Sequence, residues 1–97
     1  MMQVIENWAN VTGVVEDAAR DPMLPDHAHV RLHLTGAENI GSAPNLFRGR
    51  IGEDIDLLLR DEAHTVALAP GDRISIRARV ATSARAFAAA ADLVLIP

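Results

Sequence analysis

The sequence predicts an all-β fold: one small barrel of five strands, with a single short helix between the third and fourth. Three observations point there. Two segments, His29-Val30-Arg31-Leu32-His33-Leu34 and residues 73–80, alternate apolar with polar residues, the pattern of a strand with one buried and one wet face. Glycine and proline fall between these β-like runs, where turns are needed. The chain is also short: 97 residues, 49% of them apolar, with six Gly, five Pro and no internal repeat. Residues 1–97 therefore read as a single domain that buries somewhat more than roughly 60% of its unfolded surface. Such a domain holds one small core and no deep cleft between lobes, which argues against a large enzyme.

The elements follow in order. Residues 8–16 are β-rich with Gly13 in their middle, and a lone glycine inside a strand marks a bulge or a sharp bend. Residues 29–34 form the second strand. Ile55-Asp56-Leu57-Leu58-Leu59-Arg60 alternates less cleanly and is followed at once by Asp61-Glu62, an acidic pair suited to the start of a short helix. Pro70-Gly71-Asp72 supplies a turn before the fourth strand, residues 73–80. The last segment, residues 87–96, combines an alanine run suited to a helix with Leu93-Val94-Leu95-Ile96 suited to a strand, and strand is the preferred reading.

The order β-β-β-α-β-β resembles that of the OB-fold, a small Greek-key barrel. Gly13 within the first strand, the long connection from Gly36 to Gly52, and above all Leu68-Ala69-Pro70-Gly71-Asp72-Arg73-Ile74-Ser75-Ile76 carry the resemblance. That last stretch is similar to the L-x-P-G-D-x-V-x-V lead-in to the fourth strand of many OB-fold domains. An SH3-like barrel is the competing arrangement.

Composition removes much chemistry. With no cysteine there is no disulfide framework, zinc ribbon or thiolate nucleophile. All nine basic residues are Arg and none is Lys. Residues 61–64, Asp-Glu-Ala-His, spell a helicase-like box, yet a phosphate loop needs a lysine that the chain lacks. No serine stands in a nucleophile elbow, and the adjacent carboxylates Glu53-Asp54 and Asp61-Glu62 would diverge along a strand. The expectation is no enzyme and no cofactor. No stretch approaches the ~20 apolar residues that span a bilayer, and no signal core opens the chain, so a cytoplasmic protein without a membrane partner is expected. A net charge of −4 argues against broad attraction to polyanions.

Three features remain as candidates for binding. His27, His29 and His33 beside Asp26 have metal-like spacing, but four residues of strand separate His29 from His33 by roughly 13 Å; a solvated strand face that gains charge on acidification is the expectation, with no metal. Phe47-Arg48-Gly49-Arg50 sets a ring and two guanidinium groups around a glycine, suited to stacking on a base and gripping phosphate. Together, His29, Arg31, His33, Phe47, Arg48 and Arg50 form the candidate binding surface. Met23, Leu24 and Leu46 are apolar residues in expected loops, which either fold back over the barrel mouth or offer partner contacts.

The leading functional expectation is a small binding module whose partner is a protein or its own copy. The alternative is a module for single-stranded nucleic acid. Arginine placement separates them: Arg31, Arg48, Arg50, Arg60, Arg77 and Arg79 gathered on one face favour nucleic acid, while dispersal among the carboxylates favours protein.

Overall fold

Alternation decides the architecture. In a computed structural model that describes residues 7–64, 66–82 and 85–97, six strands form: β1 (Ala9–Arg20), β2 (His27–Asn39), β3 (Asp54–Arg60), β4 (Arg73–Thr82), β5 (Arg85–Ala89) and β6 (Val94–Ile96). Their order in the sheet is β1-β2-β3-β5-β4-β6, and β1 also pairs with β4. That second pairing closes β1, β2, β3, β5 and β4 into a five-stranded barrel, mixed because β3 and β5 run parallel. The barrel is consistent with the OB-like arrangement that the sequence resembles, with β6 as an extra strand on the first residues of β4.

The interior is filled by alternate residues of every barrel strand. Val11 and Val15, Val30, Leu32 and Leu34, Ile55, Leu57 and Leu59, Ile74 and Ile76 are all buried in one cluster with Ala78, Ala86 and Ala88. Val80, expected in the core, is half-buried and packs against it. Arg31, Arg73 and Arg77 lie exposed on the opposite side of their strands. A one-residue slip of register would exchange these two sets, which is why the pairing is unique.

Two bulges bend the long β1–β2 ribbon. Between Thr12 and Gly13 the partner steps from Gly36 to Leu34, leaving Thr35 extra on β2; between Val15 and Asp17 the extra residue is Glu16. Gly13 is required at the first because its backbone lies against the carbonyl of His33 and the side chain of Leu32, leaving no space for a Cβ. Before β4, Pro70 and Gly71 occupy the centre of a turn closed by Asp72 N–H donating to Ala69 carbonyl at 3.1 Å. Gly71 has φ +95°, the left-handed geometry that the third position of such a turn requires.

Two expectations are corrected. No helix lies between β3 and β4 among the described residues; Asp61 to His64 make a single turn, with His64 N–H donating to Asp61 carbonyl at 3.1 Å and His64 at φ +54°. Asp61 does not cap. Its buried carboxylate accepts from Arg20 Nη2 at 2.6 Å and from Val66 N–H at 3.1 Å, tying the connection to the end of β1. The last segment is also not one strand: β5 and β6 are separated by a 3₁₀ turn at Ala90–Asp92.

Candidate functional site

The outer face of β2, β3, β5 and β4 is built by the residues between the core positions. Register places His29 beside Leu58, Leu58 beside Phe87 and Phe87 beside Arg79, giving one row that crosses all four strands. A neighbouring row runs from His27 to Arg60 to Ala89. Leu58 explains why β3 alternates poorly in sequence: it is buried, yet on the outside, beneath His29 and Phe87, and apart from the core cluster.

Trp8 closes the far side of this face. Its position is set by Asn7, whose buried amide grips Val80 like a strand partner, Nδ2 donating to the carbonyl at 3.0 Å and Oδ1 accepting the N–H at 2.8 Å. Trp8 N–H itself donates to Pro44 carbonyl at 3.1 Å. Thus pinned, the half-buried indole lies beside β4, with the Arg77 Cζ 4.3 Å from its ring centre. Two residues along β4, the Arg79 Cζ lies 5.5 Å from the centre of the Phe87 ring. Cation–π attraction holds both pairs. Between the two rings opens a groove of about 310 Å³, lined by Trp8, Phe87, Arg79, Arg60, His27 and Leu58 among others.

The charges on this face are unevenly matched. Arg31 pairs with Asp56 at 3.7 Å and Arg60 with Glu62 at 3.4 Å. Among the described residues, no carboxylate stands within 4.0 Å of Arg77, Arg79 or Arg85. Of the six arginines named above, Arg60 and Arg79 line the groove and Arg77 stands over Trp8 at its edge, Arg31 is paired with Asp56 outside the lining, and Arg48 and Arg50 lie on a 3₁₀ turn in the β2–β3 connection. Comparison with known proteins finds no matching family model, curated protein or solved structure.

The residues singled out in sequence divide accordingly. His29, Arg31 and His33 do lie on the outer face of β2, but both imidazoles are engaged with carboxylates: His29 Nε2 lies 2.5 Å from Asp21 and His33 Nδ1 2.8 Å from Asp54. The hydrogen bonds from Met23 and Leu24 N–H, joined by His29, hold Asp21 below the usual carboxylate range. His33, with Glu16, does the same for Asp54, and Glu16 is pushed up by sharing a hydrogen bond with Asp54. Glu16, His33 and Asp54 place one potential ligand atom each within 4.8 Å of one another. Among the described residues this set, with Glu16 and Asp54 exposed and His33 half-buried, has the spacing to hold a cation, and the His27/His29/His33 run does not.

Phe47 is a correction. As part of the candidate binding surface it would stack on a base if single strands bind, but it is fully buried at 0% exposure and belongs to the core, so it offers no ring to a ligand. Arg50 lies 3.9 Å from Glu53, and Arg48 is exposed with no aromatic beside it among the described residues. Met23, Leu24 and Leu46 do not fold back: Met23 is 84% exposed, and the other two are exposed as well. The two rings that reach the surface, Trp8 and Phe87, were not singled out. For Phe87 a signal existed in Ala86-Phe87-Ala88, because residues 57 and 59 of β3 already fill the interior with leucine and leave room for alanine alone.

Proposed function

We propose that the protein is a non-enzymatic binding module of OB type that takes single-stranded nucleic acid on the outer face of β3, β5 and β4. One observation carries the reading: Arg77 and Arg79, free of carboxylate partners among the described residues, each lie over a partly exposed aromatic ring at the edge of one groove. Rings stack on bases of any identity, and guanidinium groups grip phosphate with paired donors. A chain with net charge −4 has no general attraction for polyanions, so binding rests on this local concentration of charge.

Fluorescence titration with mixed-sequence single-stranded DNA and RNA, repeated over a range of salt, tests it. The expected result is saturable binding that weakens as salt rises, lost in Arg77→Gln with Arg79→Gln and retained in Arg48→Ala with Arg50→Ala. Absence of saturable binding at ~50 mM salt, where screening is weak, rejects the reading.

A second reading, contact with a protein or with a second copy of the chain, is favoured by the exposed apolar residues Met23, Leu24, Leu46, Ile51, Val94 and Leu95. They lie on three segments of the chain, the β1–β2 turn, the β2–β3 connection and β6. Sedimentation at high micromolar concentration decides between self-association and a monomer.

A further inference from the structure

We infer that the groove is a two-nucleotide site in which the bound strand crosses β4, two adjacent bases meeting Trp8 on one side and Phe87 on the other and their phosphates meeting Arg77 and Arg79. This rests on the nucleic-acid reading above and narrows it to a footprint and a direction. The basis is a pair of ring–cation contacts, one on each side of β4. Arg77 and Arg79 are alternate residues of β4, hence on the same side and about 6.7 Å apart along the strand. Each carries its guanidinium over a ring, at 4.3 Å for Trp8 and 5.5 Å for Phe87. The rings themselves lie on opposite sides of β4 at one level, because Asn7 pairs with Val80 and Arg79 pairs with Phe87, so two adjacent bases meet both rings only on a strand that crosses β4.

Preorganisation follows from the stacking. Trp8 is anchored through its N–H to Pro44 and through its neighbour Asn7 to Val80, and Phe87 rises from the paired backbone of β5. The backbone that carries each ring is thus fixed, and the ring itself rests against an arginine, which lowers the conformational cost of fixing a contact side chain. Among the described residues, three of the other arginines are already engaged. Arg60 is engaged by Glu62 and Arg31 by Asp56. At the other end of β4, Arg73 donates to the Pro97 carbonyl at 2.6 Å. The acidic Asp92 also lines the groove, and the volume of about 310 Å³ is at the lower limit of ligand pockets. The footprint is therefore shorter than the ~4–16 nucleotides usual for an OB fold.

Trp8 is the sole tryptophan of the chain, so quenching of its fluorescence reports on the site directly. The experiment titrates 5′-phosphorylated thymidine oligonucleotides of one, two, four, eight and sixteen residues at low salt. Expected is a gain in affinity from one residue to two. Beyond two, affinity should rise only in proportion to the number of overlapping dinucleotide registers, with a log–log salt slope near −1.4, about 0.7 for each of two phosphates. Arg77→Gln and Arg79→Gln should each flatten that slope by about 0.7, while Phe87→Leu should weaken binding by between about 5- and 150-fold with the slope unchanged. Circular dichroism confirms that each variant is folded, and the wild-type length series stands without them.

Affinity that climbs well beyond the register count between two and eight residues, or a slope steeper than about −3, overturns the two-nucleotide site while leaving the nucleic-acid reading in place. No quenching and no saturable binding by the sixteen-residue oligonucleotide overturns both. Saturation by oligoglutamate with none by oligonucleotide also overturns both and assigns the groove to an acidic peptide.

Discussion

Replacing Gly13 by alanine probes the tightest point of the barrel. A Cβ built on its backbone lies 2.5 Å from the His33 carbonyl oxygen and 2.7 Å from Leu32 Cγ, far inside the ~3.5–4.0 Å at which carbon atoms pack well. Leu32 is fully buried and the carbonyl belongs to β2, so neither swings aside, and the two strands must part by about 1 Å at the bulge. Overpacking of this kind costs ~1–3 kcal/mol, offset by only ~0.4–1 kcal/mol from the reduced freedom of the unfolded chain. The net loss of about 1–2 kcal/mol is a substantial part of the ~5–15 kcal/mol typical of a folded domain. It lowers the melting temperature by roughly 4–16 °C at ~4–8 °C per kcal/mol. Gly36 provides the internal comparison, since a Cβ there meets Thr12 Cβ at an ordinary 3.8 Å, and Gly36→Ala should be neutral or slightly stabilising. Urea denaturation followed by Trp8 fluorescence measures both. A Gly13→Ala protein as stable as the parent, or equal losses at the two glycines, refutes the close-approach account.

Phe47→Ala should cost ~3–5 kcal/mol and Ile76→Ala ~2–5 kcal/mol in the same assay, whereas affinity for nucleic acid per folded molecule of Phe47→Ala should not change. The carboxyl of Asp21 is held below its ordinary value of 3.8 by the N–H groups of Met23 and Leu24 and by His29. Its contribution to the order of the β1–β2 turn is therefore present above pH 3.8 and lost as pH falls through the lowered value; amide exchange at Met23 and Leu24 should accelerate only there. Glu16 acts in the opposite sense, because its carboxyl is raised above 4.5, so its contribution is present below that pH and fades as pH rises through the raised value. Glu16→Gln should accordingly leave stability at pH 7 unchanged or higher, and a lower midpoint in urea would contradict this.

The parts of the fold that were legible in sequence are those decided by residues close together in the chain. Alternation over residues 29–34 and 73–80 survives in β2 and β4 because each has one face in the core. Pro70-Gly71-Asp72 makes its turn with bonds among residues 69–72 themselves. Asp61 was read as a helix cap by a local rule, while its partner Arg20 lies 41 positions away and is brought near by the β1–β2–β3 pairing. The candidate binding surface loses Phe47 for the same reason. Phe47 has arginines beside it in sequence and is buried; Phe87 and Trp8 acquire theirs across strands, through pairing of β5 with β4 and through the grip of Asn7 on Val80. Arg31, His29 and His33 were placed correctly on a wet face, but their carboxylate partners come from elsewhere in the chain.

Closure of the barrel depends on β1 meeting β4, where residues 9–14 pair with residues 73–78 from the opposite end of the chain. The β1–β2 hairpin is local and zips on the microsecond scale, but its second edge stays open until β4 arrives. Entropy of closing so long a loop must be met before that contact gives anything back. Folding should therefore take milliseconds to seconds, as in other barrels dominated by distant pairing. During synthesis the open edge of β1 waits for most of the remaining chain to be made, a window in which it is a template for pairing with another nascent copy.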